Sequence, residues 1–289
     1  MCATTLVRLV SWRFSLNLSI KTQPALCSNS LPKRLSGPLC YLTIAHMIVL
    51  FTDFGTEDSY VGQLHGVLHQ AVSDLEIVDL LHHVPNFDIR AGAYLLPSLV
   101  NLFPVGTVFV CVVDPGVGGV RRPLILRVDG RWYVGPDNGL FRLLLRRATG
   151  AQIWEILWRP ENLSASFHGR DLFAPVAGML AMGGQPDCRP CEIGDTNRGD
   201  WPDDLARIIY IDHYGNAITG LRATSVDTDC TLTIGKSRLA SAQTFGSVPI
   251  GAGFWYANAN GLVEVAVNQG HAAHQLEIGL GEQVCWGKP

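Results

Sequence analysis

Between residues 47 and 184, short β-branched apolar runs alternate with stretches in which apolar residues recur every three or four positions. The runs at 48–51, 75–80, 107–113, 124–128 and 132–134 have the length and composition of buried strands. Val61, Leu64, Val67, Leu68 and Val72 lie at helical spacing, so a helix is predicted over 58–72. Two further helices are expected, over 88–102 with a kink at Pro97 and over 172–182. Strand and helix in alternation predict an α/β domain with a central, mainly parallel sheet.

Beyond a stretch rich in Pro, Asp and Gly, roughly 185–204, the pattern changes to short runs separated by turn residues. Strands are predicted at 207–211, 216–221, 230–234, 262–267, 275–278 and 283–286, with no helix among them, which reads as a smaller all-β barrel or sandwich. The division drawn from this is an α/β domain at 47–190, a linker at 191–205 and a β-barrel domain at 206–289.

The chain of 289 residues is 47% hydrophobic with a formal charge of −3, enough to bury one large core or two modest ones. It lacks the basic stripe of a nucleic-acid binder, and its apolar runs are too short to span a bilayer. A small molecule or a second copy of the chain is the expected partner. Eight scattered cysteines, three of them in the first forty residues, fit a reducing, cytoplasmic setting better than a disulfide framework. Cys188 and Cys191 form a lone CxxC without the second pair a zinc site needs, and read as two loop thiols. Residues 1–46 hold five Lys or Arg and no Asp or Glu. That composition suits an organelle-targeting segment, a non-native leader upstream of a start at Met47, or a disordered arm, and the stretch is set aside from the fold.

Polar chemistry gathers in four motifs: Thr52-Asp53-Phe54-Gly55, Val113-Asp114-Pro115-Gly116-Val117-Gly118, Gly135-Pro136-Asp137-Asn138-Gly139 and Phe167-His168-Gly169-Arg170-Asp171. Three directly follow predicted strands, where open α/β sheets bind ligands. Each alone has a plainer reading: Asp137-Asn138-Gly139 as a tight turn, Asp171 as the N-cap of the helix from 172, Arg170 as the partner of a nearby carboxylate, His168 as a structural histidine. Four such loops in one domain exceed what turns require. They leave two candidates, a metal hydrolase ligated by Asp53, Asp114, Asp137 and His168, or a metal-free site that positions water.

The ordered set Thr-Asp-Phe-Gly-x-x-Asp at 52–58, Val-Asp-Pro-Gly-Val-Gly-x-x-Arg from 113 to 121, Gly-Pro-Asp-Asn-Gly at 135–139, Phe-His-Gly-Arg-Asp at 167–171 and Ile-Asp-His-Tyr-Gly-Asn at 211–216 resembles the S-adenosylmethionine (SAM) hydroxide adenosyltransferase family. These are SAM hydrolases, related to fluorinase and chlorinase, and the likeness spans nearly all of 47–289. It implies an α/β domain joined to a β-barrel, assembly as a homotrimer, and SAM held between one subunit's first domain and its neighbour's second. By position, it implies Asp114, Arg121 and His168 as the catalytic set. Asp53 would bind the ribose hydroxyls, with Asp58 in the same motif. Phe87 would pack near the ribose and methionine chain, Tyr214 and Phe245 would sandwich adenine, Asn216 would bond the base edge, and Asp212 would hold the methionine ammonium. Ala259, Glu264 and Val267 fall where further substrate contacts are expected, although Asn258-Ala259-Asn260-Gly261 departs from the usual wording.

The resemblance implies no cofactor and no metal, SAM being the substrate and water the nucleophile. Sulfonium leaves as a neutral thioether without a general acid, so the difficulty is presenting an aligned oxygen to C5′. The nearest rival activity is that of an adenosyl halogenase; Gly169 stands where a fluorinase's halide-binding serine would follow His168, but a chlorinase can also have glycine there, so the intact set of Asp114, Arg121 and His168 is the stronger argument for a hydrolase. A non-catalytic SAM or adenosine binder and a metal-dependent phosphoesterase are more distant rivals.

Overall fold

The computed structural model describes residues 47–71, 75–192 and 201–287. The expectations for 1–46 therefore lie outside the described residues. Strand β1 (Met47–Thr52) is followed by α1 (Tyr60–Ala71), β2 (Glu76–Leu81), α2 (Ile89–Leu99), β3 (Val108–Val112), β4 (Pro123–Val128) and β5 (Arg131–Pro136). Then come α3 (Arg142–Arg147), β6 (Ala151–Ile156), α4 (Ala174–Ala181) and β7 (Cys188–Pro190). The seven strands make one sheet in the order β2-β1-β3-β5-β4-β6-β7, parallel from β2 through β5 and antiparallel at the β4 and β7 pairings.

Alternation across the pleat sends successive β1 residues into different layers. Ile48 and Leu50, with Val108 and Val110 of β3, pack against Leu64 and Leu68 of α1 and Val176 and Ala177 of α4. Val49 and Phe51, with Phe109 and Cys111, face Tyr94 and Leu96 of α2. Both faces of these strands are thus covered, which is why they read as continuous apolar runs.

The second half supplies β8 (Leu205–Ile211), β9 (Ala217–Arg222), β10 (Thr231–Ile234), β11 (Ser237–Leu239), β12 (Gly253–Ala257), β13 (Leu262–Val267), α5 (Ala272–Gln275) and β14 (Val284–Gly287). They form a four-stranded antiparallel sheet, β12-β13-β9-β8, and a three-stranded one, β11-β10-β14. Isolated bridges join the two sheets at both edges, Arg207 to Gln283 and Ser241 to Trp255. Ile208 points into the core of this half while its neighbour Ile209 joins the α2 layer of the large sheet, so β8 belongs to both cores.

Several predicted elements need correction. Residues 275–278 are not a strand: the short helix α5 ends there, its first turn capped by the His271 ring, which accepts the His274 amide at 3.2 Å. The helix expected over 88–102 keeps its α form only to Leu99 and tightens into a 3-10 turn at Val100–Leu102, just past Pro97. Its cap is Asp88, which accepts the Ala91 amide. Asp171 is not an N-cap, because a wide turn already begins at Gly169 and places it inside the helical segment. Its carboxylate instead accepts the Ser164 amide at 2.9 Å and pairs with Arg170. Strands β6, β7, β11 and β12 and helix α3 were absent from the sequence-based prediction.

Candidate active site

Loops leaving the carboxyl ends of β1, β2 and β3 lie at one end of the parallel strands, and the segment before α4 brings His168 to the same place. Their meeting lines a cleft of about 310 Å³ that includes Asp53, Asn86, Phe87, Asp114, Phe167 and His168. Phe54, Tyr60 and Phe167 form its aromatic wall, with ring centroids 5.3 to 5.9 Å apart.

Asp114, Arg121 and His168 form a continuous chain. Arg121 Nε donates to Asp114 Oδ2 at 2.9 Å, and Arg121 Nη2 donates both to the same carboxylate and to His168 Nδ1, the latter at 2.9 Å. The Asp114 side chain is 3% exposed and that of Arg121 9%, and the guanidinium lies 5.6 Å from the Phe173 ring. Gly118 lets the two loops meet: it adopts φ +77°, and a Cβ there would stand 2.4 Å from the Ala165 carbonyl oxygen.

A guanidinium has no acceptor atom and does not deprotonate in proteins, so His168 Nδ1 must be the acceptor. Burial, and then the Arg121 charge, hold the imidazole below its ordinary pKa. His168 is therefore neutral near pH 7, with its proton on Nε2, the one ring nitrogen left for the cleft.

Asp53 Oδ2 accepts the Phe87 amide at 3.0 Å. Phe87 adopts φ +64°, unusual for an aromatic residue, which aims its N–H at this carboxylate while leaving its ring 72% exposed. Burial, offset in part by the Phe87 bond, raises the Asp53 pKa above its ordinary value, with the Asp114 charge adding to the rise. Asp58, in contrast, is exposed on the segment leading into α1 and does not line the cleft.

The remaining candidates lie in the second half. Asp212, Tyr214, Asn216, Phe245, Ala259, Glu264 and Val267 line one broad groove, and none of its residues also lines the cleft. Asp212 organises its own turn, accepting the amides of Tyr214 and Asn216 through Oδ1 and the Asn216 side chain through Oδ2. Tyr214 is 74% exposed. Phe245 stands edge-on to Phe254 and Tyr256 at 5.2 and 5.5 Å. Glu264 is buried, with its pKa raised by that burial, and accepts the Tyr256 hydroxyl at 2.6 Å and Asn258 Nδ2 at 2.9 Å.

Sequence reasoning missed Tyr256, Asn258 and the Phe54–Tyr60 wall. The run Phe254-Trp255-Tyr256 was the available signal, since three successive aromatics suit a strand. Of the four ligands considered for a metal hydrolase, Asp53, Asp114 and His168 line the cleft but Asp137 does not, and Asp137 pairs with Arg122 and Asp114 with Arg121. Among the described residues no group of three or more His, Cys, Asp or Glu is arranged to hold a metal ion.

Comparison with known proteins matches residues 48–188 to the SAM hydroxide adenosyltransferase N-terminal domain and residues 206–285 to the C-terminal domain of that family. The chain is 38% identical over 255 residues to the (R)-S-adenosyl-L-methionine hydrolase of Thermus thermophilus, covering 82% of this chain and 98% of that one. A fluorinase of Nocardia brasiliensis is more distant, at 25% identity over 82% of this chain and 96% of its own length. The crystal structure of an uncharacterized conserved protein from Thermotoga maritima superposes with a TM-score of 0.71 at 30% identity, covering 84% of this chain and all of that one.

Proposed function

The chain belongs to the SAM hydroxide adenosyltransferase family, and from that premise we infer that it hydrolyses SAM at C5′ to adenosine and methionine. The observation that carries the reading is the unbroken Asp114–Arg121–His168 chain opening on a cleft beside Asp53.

In the proposed reaction a water oxygen attacks C5′ as the C5′–S bond breaks, and the electron pair of that bond leaves with sulfur as the neutral methionine thioether. His168 Nε2–H donates to one lone pair of the attacking oxygen, leaving the other directed at C5′. The surplus water proton passes to the Asp114 carboxylate and on to solvent. Arg121 keeps that carboxylate and the imidazole in fixed orientation, so little reorganisation accompanies the reaction. Asp53 is suited to the ribose diol as a two-oxygen acceptor. No step calls for a Lewis acid, because the leaving group is already activated.

We further propose that the site is completed by a second copy of the chain in a homotrimer. The cleft holds the groups that act at C5′, whereas the groove offers the aromatic and carboxylate groups suited to adenine and the methionine ammonium. Each also bears an exposed aromatic, Phe87 and Tyr214. The two bridges linking the antiparallel sheets support the reading of the second half as a closed barrel. Among the described residues no helix is long and apolar enough to cross a membrane. The free cysteines among the described residues support the proposal of a reducing, cytoplasmic setting.

Incubation of EDTA-treated protein with each sulfonium epimer of SAM tests this reading. Adenosine and methionine in equal amounts are expected, with the (R) form named for the relatives consumed faster. Activity that vanished with EDTA and returned with added metal would overturn the metal-free mechanism, and a halide-dependent 5′-halo product would favour a halogenase.

A further inference from the structure

Gly135-Pro136-Asp137-Asn138-Gly139 does not line the cleft, yet it touches the chain on both sides of the Asp114–Arg121 pair. At one end, Asn138 Nδ2 donates to the Val113 carbonyl at 2.8 Å, immediately before Asp114, while Asn138 Oδ1 accepts the Leu140 amide. At the other, the Asp137 amide donates to the Arg122 carbonyl at 2.8 Å, and Asp137 Oδ2 accepts Arg122 Nε and Nη2 at 3.1 and 2.6 Å. Arg122 directly follows Arg121 and is tied further through Nη2 to the Glu192 carbonyl at 2.7 Å.

The motif is itself rigidly seated. A Cβ on Gly135 would stand 2.2 Å from the Cys111 carbonyl oxygen and 2.8 Å from Phe141 Cζ, so only glycine lets β5 lie this close to β3. The Asp137 side chain is 3% exposed, which makes its bonds to Arg122 strong and poorly replaced by water.

We propose that Asp137 and Asn138 are positioning residues for water attack, bracing the 113–122 loop at both ends so that Asp114 and Arg121 hold their geometry toward His168. Displacement of a catalytic group by about 1 Å can cost on the order of a hundredfold in rate. The brace acts on alignment in the transition state, so kcat carries the effect and KM for SAM does not. The proposal rests on Asp114, Arg121 and His168 being the water site.

Kinetics of Asp137→Asn and Asn138→Ala, alongside Asp114→Asn as reference, test it, with circular dichroism at the assay temperature reporting the folded fraction. Asp137→Asn keeps the shape and removes the charge; Asn138→Ala removes the bond to Val113 without touching Arg122. The expected result is a kcat lowered by about tenfold to a hundredfold in each folded variant, with KM changed by less than about threefold. Wild-type kcat in a folded variant, or a loss no larger than the loss of folded protein, overturns the brace. Should Asp137→Asn not fold, Asn138→Ala alone decides. Full turnover by Asp114→Asn would instead remove the water-site reading beneath it, a separate outcome.

Discussion

Arg121 Nη2 donates to His168 Nδ1 at 2.9 Å, and this one bond makes the imidazole a donor toward the cleft rather than a base. General-base catalysis from His168 Nε2 would need that nitrogen unprotonated, which the Arg121 bond forbids for a neutral ring. A side chain that merely donates can then stand in. His168→Gln, which offers an amide N–H, is expected to retain at least about tenfold more kcat than His168→Ala. Equal loss in the two variants would return the imidazole to the role of proton acceptor.

The same bond sets a pH dependence. Burial and the Arg121 charge lower the His168 pKa below its ordinary 6.5. In the window between 6.5 and the lower folded value, the unfolded chain binds the extra proton and the native protein does not. Stability from this group is therefore complete above that window and falls as pH drops through it. Protonation of Nδ1 would also break the contact with Arg121. The acid limb of kcat is expected below 6.5, and a limb at or above that value would contradict the assignment. Asp53 acts in the opposite direction: its pKa is raised above the ordinary 3.8, so SAM affinity should weaken on acidification before that of an unperturbed carboxylate would.

A site shared between subunits predicts complementation. Asp114→Asn disables the cleft, and Tyr214→Ala weakens the groove without disturbing a core, since Tyr214 is 74% exposed. When the two variants are co-expressed and assayed at low SAM, mixed trimers contain sites with both halves intact. Random mixing in equal amounts should restore up to about a quarter of wild-type activity. A single-chain site would give no gain over the separate variants.

The parts of the fold legible in the sequence are those whose side chains face only one kind of surroundings. Strands β1 and β3 are buried on both faces and read as apolar runs, and β13 (Leu262–Val267), buried at every position, is an apolar run broken only by Glu264. Strand β6 was not legible because Ala151 and Gln152 are exposed and the strand carries Glu155 to pair with Arg189. The three-residue β7 is too short to show a period. In the site, three of the four acidic and glycine motifs, at 52–55, 113–118 and 167–171, pointed to segments that meet at the cleft, whereas 135–139 does not line it. The direction of the His168 proton was not legible, because it depends on a bond between residues 47 positions apart. Nor was the role of Glu264, whose buried carboxylate holds the half-buried Tyr256 and Asn258.

The most direct measurement is mass spectrometry of adenosine formed from SAM in water enriched in heavy oxygen. Attack of solvent oxygen on C5′ predicts one heavy oxygen in the adenosine 5′-hydroxyl, none in methionine, and loss of labelled product in Asp114→Asn. Adenosine released without the label, or SAM left unconsumed, would contradict the account.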